Sequence, residues 1–266
     1  MNNENFEKVA VLRRPLESGR QSPMNLSGIF VFGAFLQAGL YAAEYYIVGY
    51  STDHPYKEEI LRWHFWVSAV LIVLGLVLAI PFVYKRFEKL QYLISVLYSQ
   101  NLFGVSFYIC ALFVATDRKF GASADSIMTF TWTTLLVGLF IFLLTSARFI
   151  WKIRKGDYRE GSRSDQMRAQ FEYKSYLPAA TVAGLGIFFI IQYVIRQSGM
   201  EELGTLVFLL IGFGIFYTML FVLPEQLAIF YYKLRYRSFN FEGRPYLVES
   251  VDEDEAEELF GDSHYR

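Results

Sequence analysis

Long stretches without Asp, Glu, Lys or Arg, separated by short charged clusters, constrain this chain more than any other feature. Trp63–Tyr84, Leu90–Thr116, Ser126–Ala147 and Ser175–Ile195 contain none of the four. Ile29–Tyr50 is broken only by Glu44, and Leu203–Tyr232 only by Glu225. A helix needs about 20 apolar residues to cross the hydrocarbon core of a bilayer. A charge at the bilayer centre costs ~3 kcal/mol or more, which is the physical reason for such segregation. The pattern predicts an all-α, polytopic integral membrane protein whose domain at 29–232 is a six-helix bundle. The expected spans are 29–50, 63–84, 90–116, 126–147, 175–195 and 203–232.

Composition agrees with a lipid environment. Only 19% of the 266 residues are charged and 18% are aromatic, against about 25% charged in ordinary globular domains. Tyr50, Trp63, Trp66, Tyr84, Trp132, Trp151, Tyr176, Tyr193, Tyr231 and Tyr232 fall near the expected span ends. Trp and Tyr favour that depth because one edge of the ring is apolar and the other hydrogen bonds. The polar first 25 residues precede an apolar run too long for a cleaved signal, so span one reads as an uncleaved anchor.

The distribution of basic residues orients the bundle. Twenty Lys and Arg lie before span one, between spans two and three, between four and five, and after span six; five lie on the other side. By the positive-inside rule, both termini are expected in the cytoplasm, and the location is a plasma or inner membrane. The basic loop at 148–174 would attract anionic lipids, or offer a cytoplasmic protein partner Arg154, Lys155, Arg159, Arg163 and Arg168. Its half Ser164–Lys174 has the composition of a short helix. After a segment 1–28 and the six spans, the tail 233–266 turns acidic from Glu249 to Asp262, with no base there. That composition predicts disorder and a solvated tail, or a grip on a basic partner surface.

Polar groups inside spans are the candidates for function, because burying them is costly. Gln37, Tyr41 and Glu44 are spaced to share one helix face. They line a hydrated path, or Glu44 pairs structurally with Arg62. Gln100 and Asn101 lie near the middle of span three, where amides bridge helices or line a path. Glu225 follows Pro224, which frees a carbonyl and kinks the helix. It either anchors to basic residues at the inner face or borders a cavity.

Other chemistry finds little support. One cysteine, Cys110, makes neither an internal disulfide nor a metal site. His54, His64 and His264 offer no facing pair for a haem, and no zinc-protease, hydrolase or phosphate-loop motif occurs. No cofactor is expected. A net charge of −1 gives no basic field for nucleic acid. The leading expectation is a non-catalytic membrane subunit or accessory protein of a larger transport or secretion complex, with protein partners in the membrane or cytoplasm. The alternatives are a self-contained transporter of a small solute, proton or lipid using Glu44 and Glu225, and the permease subunit of an ATP-driven exporter. The short loop between spans two and three counts against the last.

Overall fold

Helix starts and stops are written locally. Ser22 accepts a hydrogen bond from the Asn25 backbone, and Pro23 occupies the first helical turn, where its missing N–H costs nothing. Ser123 caps the fourth long helix through the Ser126 backbone, and Gly156, at φ +81°, ends it in the left-handed region. The computed structural model describes residues 9–159, 161, 162, 166, 201–244 and 246–248. Among the described residues all regular structure is helical; an isolated antiparallel bridge joins Thr52 and Asp117.

Five helices are long and apolar enough to cross a membrane. They are α1 (Pro23–Ser51), α2 (Lys57–Leu78), α3 (Glu88–Ala115), α4 (Ala124–Lys155) and α5 (Glu201–Arg235). The expected span Ser175–Ile195, the expected helix Ser164–Lys174 apart from Gln166, Arg163, Arg168 and the acidic tail from Glu249 lie outside the described residues.

The second helix departs from its expected bounds of 63–84. It begins at Lys57, with Glu58 and Glu59 in its first turn, where carboxylates complement the positive end of the helix dipole. It ends at Leu78, because Ile80 precedes Pro81 and takes the extended conformation at ψ 126°. A short helix, Pro81–Arg86, and a break at Phe87 then lead into α3. Charges at 57–62 that read as loop are therefore the opening turns of a helix.

α3 is the axis of the bundle. Two-thirds of its apolar window, 67%, is buried, against 28% or less for each of the other four. α5 packs along α3 and α4, while α1 packs on α2 and α3. The outward faces of α1, α2, α4 and α5 present Phe32, Phe35, Val70, Leu136, Phe140 and Leu210. Close approach is set by small residues. A methyl on Gly212 would stand 2.7 Å from the Ala111 side chain, so only glycine lets α5 lie this near α3.

Three apolar clusters stack along the axis. The middle one holds Phe30, Leu71, Ile94 and Tyr98; one end holds Leu61, Tyr108, Leu112 and Phe113. The other end, here called the basic end, is closed by residues from outside the long helices. Val9, Val11, Leu12 and Leu16 pack there with Tyr158, Tyr236, Phe239, Phe241 and Leu247. The segments expected to flank the bundle, 1–28 and 233–266, thus contribute residues 9–17 and 236–248 to a folded cap. Arg13 ties the two together by donating to the Val248 carbonyl at 3.1 Å.

Candidate functional site

The middle of each of the first three helices carries a buried polar residue, and the fold brings the three together. Gln37, Ser68 and Asn101 occupy the midpoints of α1, α2 and α3, and all are buried. The Asn101 amide donates to Ser68 Oγ at 2.9 Å. Gln37 Nε2 donates to Ser68 Oγ at 3.2 Å and to Ser106 Oγ at 3.1 Å. Three helices are joined by two hydroxyls and two amides, each interacting where no water competes.

Two turns further along α1, roughly 10 Å at 1.5 Å per residue, the network becomes ionisable. Glu44 is wholly buried, and its Oε2 lies 2.6 Å from His64 Nδ1 on α2. Ser106 connects the two levels, since it receives Gln37 and also interacts with the Glu44 carboxylate. The Tyr41 ring lies against His64, its centroid 6.0 Å away, and its hydroxyl donates to the Leu61 carbonyl. Three polar atoms of this network, Gln37 Oε1, Glu44 Oε1 and His64 Nε2, are buried without a hydrogen-bond partner among the described residues. Each represents unmet bonding capacity worth about 1–3 kcal/mol.

The backbone is irregular at this site. α1 widens into a π turn over Glu44–Val48, closed by the Gly49 N–H on the Glu44 carbonyl. α3 does the same over Gln100–Val105, closed by the Ser106 N–H on the Asn101 carbonyl. Each π turn therefore starts at or beside a residue of the network. Such insertions sit preferentially at functional sites, because they re-aim side chains within a helix. A Cβ on Gly49 would meet the Glu44 carbonyl oxygen at 2.6 Å, so the tight closure of the first π turn requires glycine.

The remaining sequence candidates go elsewhere. Gln100 points away from Asn101 and donates to the Met219 carbonyl at 3.0 Å and to Gln226 Oε1 at 3.2 Å on α5. This is next to the carbonyl of Leu220, which Pro224 leaves without its helical donor. Glu225 is half-buried within electrostatic reach of Tyr92. Arg154, Lys155 and Arg159 are exposed at the basic end. Glu44 faces His64, and Arg62 is exposed on another face of α2.

Nothing in the sequence alone pairs His64 or Ser68 with Glu44. The signal that both face inward was there for α2. His64 and Ser68 lie on the stripe of Leu61, Leu71, Gly75 and Leu78, whereas beyond Arg62 the outward face presents only apolar side chains such as Trp63, Trp66, Val70 and Val73. A polar pair on one stripe of an otherwise apolar membrane helix points inward.

Two further polar clusters flank the network. Opposite the basic end, His54 Nε2 lies 3.1 Å from Thr131 Oγ1, and burial pushes the His54 imidazole below its ordinary pKa. At the basic end, the buried Glu88 carboxylate accepts from Lys233 Nζ at 3.1 Å and from the backbone of Phe241 and Glu242. No cluster of three metal-ligating His, Cys, Asp or Glu side chains occurs among the described residues. Compared with known proteins, the chain matches no family model, and no curated protein or solved structure is similar to it.

Proposed function

We propose that this chain is a transport protein of the plasma or inner membrane, in which the Glu44–His64 pair holds a proton whose movement is coupled to passage of a small polar solute. The carrying observation is a carboxylate–imidazole pair at 2.6 Å, both groups buried, at the end of a polar network linking three membrane-length helices. Such a pair is electrically neutral with one shared proton, whether as acid and imidazole or as carboxylate and imidazolium. A second proton would leave one net positive charge, and loss of the first one net negative charge. Either is costly in hydrocarbon. Relief requires a rearrangement that hydrates the pair, and this links protonation to opening. The unpartnered Gln37 Oε1, Glu44 Oε1 and His64 Nε2 supply the hydrogen bonds that solute or water would take up.

Six crossings with both ends cytoplasmic remain the topology of this reading. α4 and α5 both end at the basic end, where Tyr158 and Lys233 contribute to the same closure. α5 starts at the other end, near Lys119, which donates to Thr205. This direction of the two helices supports a further crossing between them. The contact of Arg13 with Val248 supports an even number of crossings.

The test is reconstitution into vesicles carrying a pH-sensitive dye, challenged with pools of small polar solutes under an imposed proton gradient. Wild-type protein is expected to give solute-dependent proton movement that Glu44→Gln and His64→Gln abolish, while the variants keep their yield and elution volume. Full activity in both variants would sink the reading. A second reading, an accessory subunit of a larger complex, is favoured by the folded cap at the basic end with Arg154, Lys155 and Arg159 exposed beside it. Purification in mild detergent separates the two. A stoichiometric partner lost on neutralising those three residues would favour the subunit.

A further inference from the structure

The basic end carries a groove that the polar network does not explain. It encloses about 590 Å³ between the break before α3 and the end of α5. That volume is in the range of small-molecule sites and well beyond a single bound water. Lys85, Arg86 and Lys89 form one wall, and Arg235 and Arg237 the other. All five are exposed.

Of the two carboxylates in the lining, Glu88 is engaged elsewhere and Glu242 offsets Arg237, which leaves Lys85, Arg86 and Lys89 on one wall and Arg235 on the other to carry the groove's charge. Glu88 is turned inward and occupied by Lys233 and by the Phe241 and Glu242 backbone. Glu242 is held by Arg237 through two hydrogen bonds of 2.6 and 2.8 Å. Those bonds keep its carboxyl below the usual range. Lys85 and Lys89 make no ion pair among the described residues. The groove is therefore an anion site by charge.

Its position identifies the anion. α3 begins and α5 finishes here, so this is the level at which membrane-length helices leave the hydrocarbon. Phe87, Leu90 and Leu234 line the same groove and are 48%, 44% and 54% exposed. A soluble phosphate compound has no use for that apolar rim. An acyl chain does. We infer that the groove between Lys85–Leu90 and Leu234–Arg237 binds the head of an anionic phospholipid carrying two phosphates, one against each basic wall, with its chains along Leu90 and Leu234. Basic pockets between helix ends at a membrane surface are suited to such heads.

The experiment is native mass spectrometry of the full chain released from vesicles of phosphatidylcholine with one-tenth cardiolipin. The comparison is between wild type, the triple variant Lys85→Gln/Arg86→Gln/Lys89→Gln, and a control triple variant Arg154→Gln/Lys155→Gln/Arg159→Gln. Each surface cation contributes about a fivefold factor in affinity for anionic lipid, so the groove variant is expected to lose on the order of 100-fold. The control should retain cardiolipin. Equal losses in both variants would mean diffuse surface charge and overturn the site. Displacement of cardiolipin by soluble inositol hexakisphosphate, with no preference of the wild type for cardiolipin over phosphatidylcholine, would overturn the lipid assignment. If the triple variant fails to fold, the exposed single change Lys89→Gln takes its place. About a fivefold loss is then expected, and none would refute the groove.

Discussion

Replacing Glu88 with alanine removes the anchor that holds the chain's final described segment against the bundle. The carboxylate accepts Lys233 Nζ at 3.1 Å, the Phe241 N–H at 3.0 Å to each oxygen, and the Glu242 N–H at 2.7 Å. Glu88 is 8% exposed and Lys233 only 2%, so little water is available to replace these bonds. Loss of one member of a buried ion pair costs roughly 3–5 kcal/mol, mostly through the uncompensated charge left behind. Lys233 would keep its hydrogen bond to the Phe239 carbonyl and its contacts with the Tyr92 and Phe241 rings. Those partners place Glu88→Ala toward the lower end of that range. Lys233→Met should cost less, about 1–3 kcal/mol, because the carboxylate retains two backbone donors. The double variant Glu88→Gln/Lys233→Met should recover part of the loss, since neither charge is then left alone. The assay is thermal unfolding of the detergent-solubilised protein, with limited proteolysis after Arg235, Arg237 and Arg244 reporting release of the segment. Faster cleavage and a lower midpoint are expected for Glu88→Ala than for Lys233→Met. If Lys233→Met is the more damaging change, the backbone donors are not what holds the carboxylate, and the reasoning fails.

Two other outcomes test the packing and the loop opposite the basic end. Gly212→Ala should lower the thermal midpoint, at a cost of about 1–3 kcal/mol for overpacking, because its methyl would lie 2.7 Å from Ala111; Gly214→Ala, with nothing within 4 Å, should be neutral or slightly stabilising. His54, with its pKa lowered by burial, binds a proton less readily when folded than when unfolded. Its contribution to stability is therefore complete above the ordinary value of 6.5 and declines as pH falls below it. His54→Gln should flatten that part of the stability profile, as measured by unfolding between pH 7.5 and pH 5.5; an unchanged slope would refute the assignment.

Charge segregation made the membrane-length helices legible, since lipid penalises each misplaced charge directly. Helix ends were less legible. Lys57–Arg62 looks like a loop by charge, yet the residues continue α2 past the apolar stretch, while Ile80 and Pro81 stop it inside that stretch. Hydropathy weighs side chains; the end of a helix is decided by backbone restriction. Glu44 stood out because a carboxylate is conspicuous among apolar neighbours. His64 did not, because it sits close enough to a helix start to pass for an interfacial residue. Its pairing depends on how α1 meets α2, and Gly75 on α2 helps to set this by admitting Phe30 of α1. The cap at the basic end was illegible for a related reason. Val9 to Leu16 and Tyr236 to Leu247 are ordinary mixed sequence, and only their proximity in the fold makes them a core.

That cap constrains how the protein is made. The Arg13–Val248 bond joins positions 235 residues apart. A chain that enters the membrane helix by helix during synthesis has its first segment ready long before its partner exists. Val9, Val11 and Leu12 can meet Leu26, Tyr92, Val96 and Tyr158 early, but Tyr236, Phe239, Phe241 and Leu247 cover them only at the end. Closure of the cap is therefore a late event, completed only when the segment after α5 is in place. A protein truncated just after α5 would keep its long helices yet lose Tyr236, Phe239, Phe241 and Leu247 from that core, so the loss would fall on the cap and not on the helices.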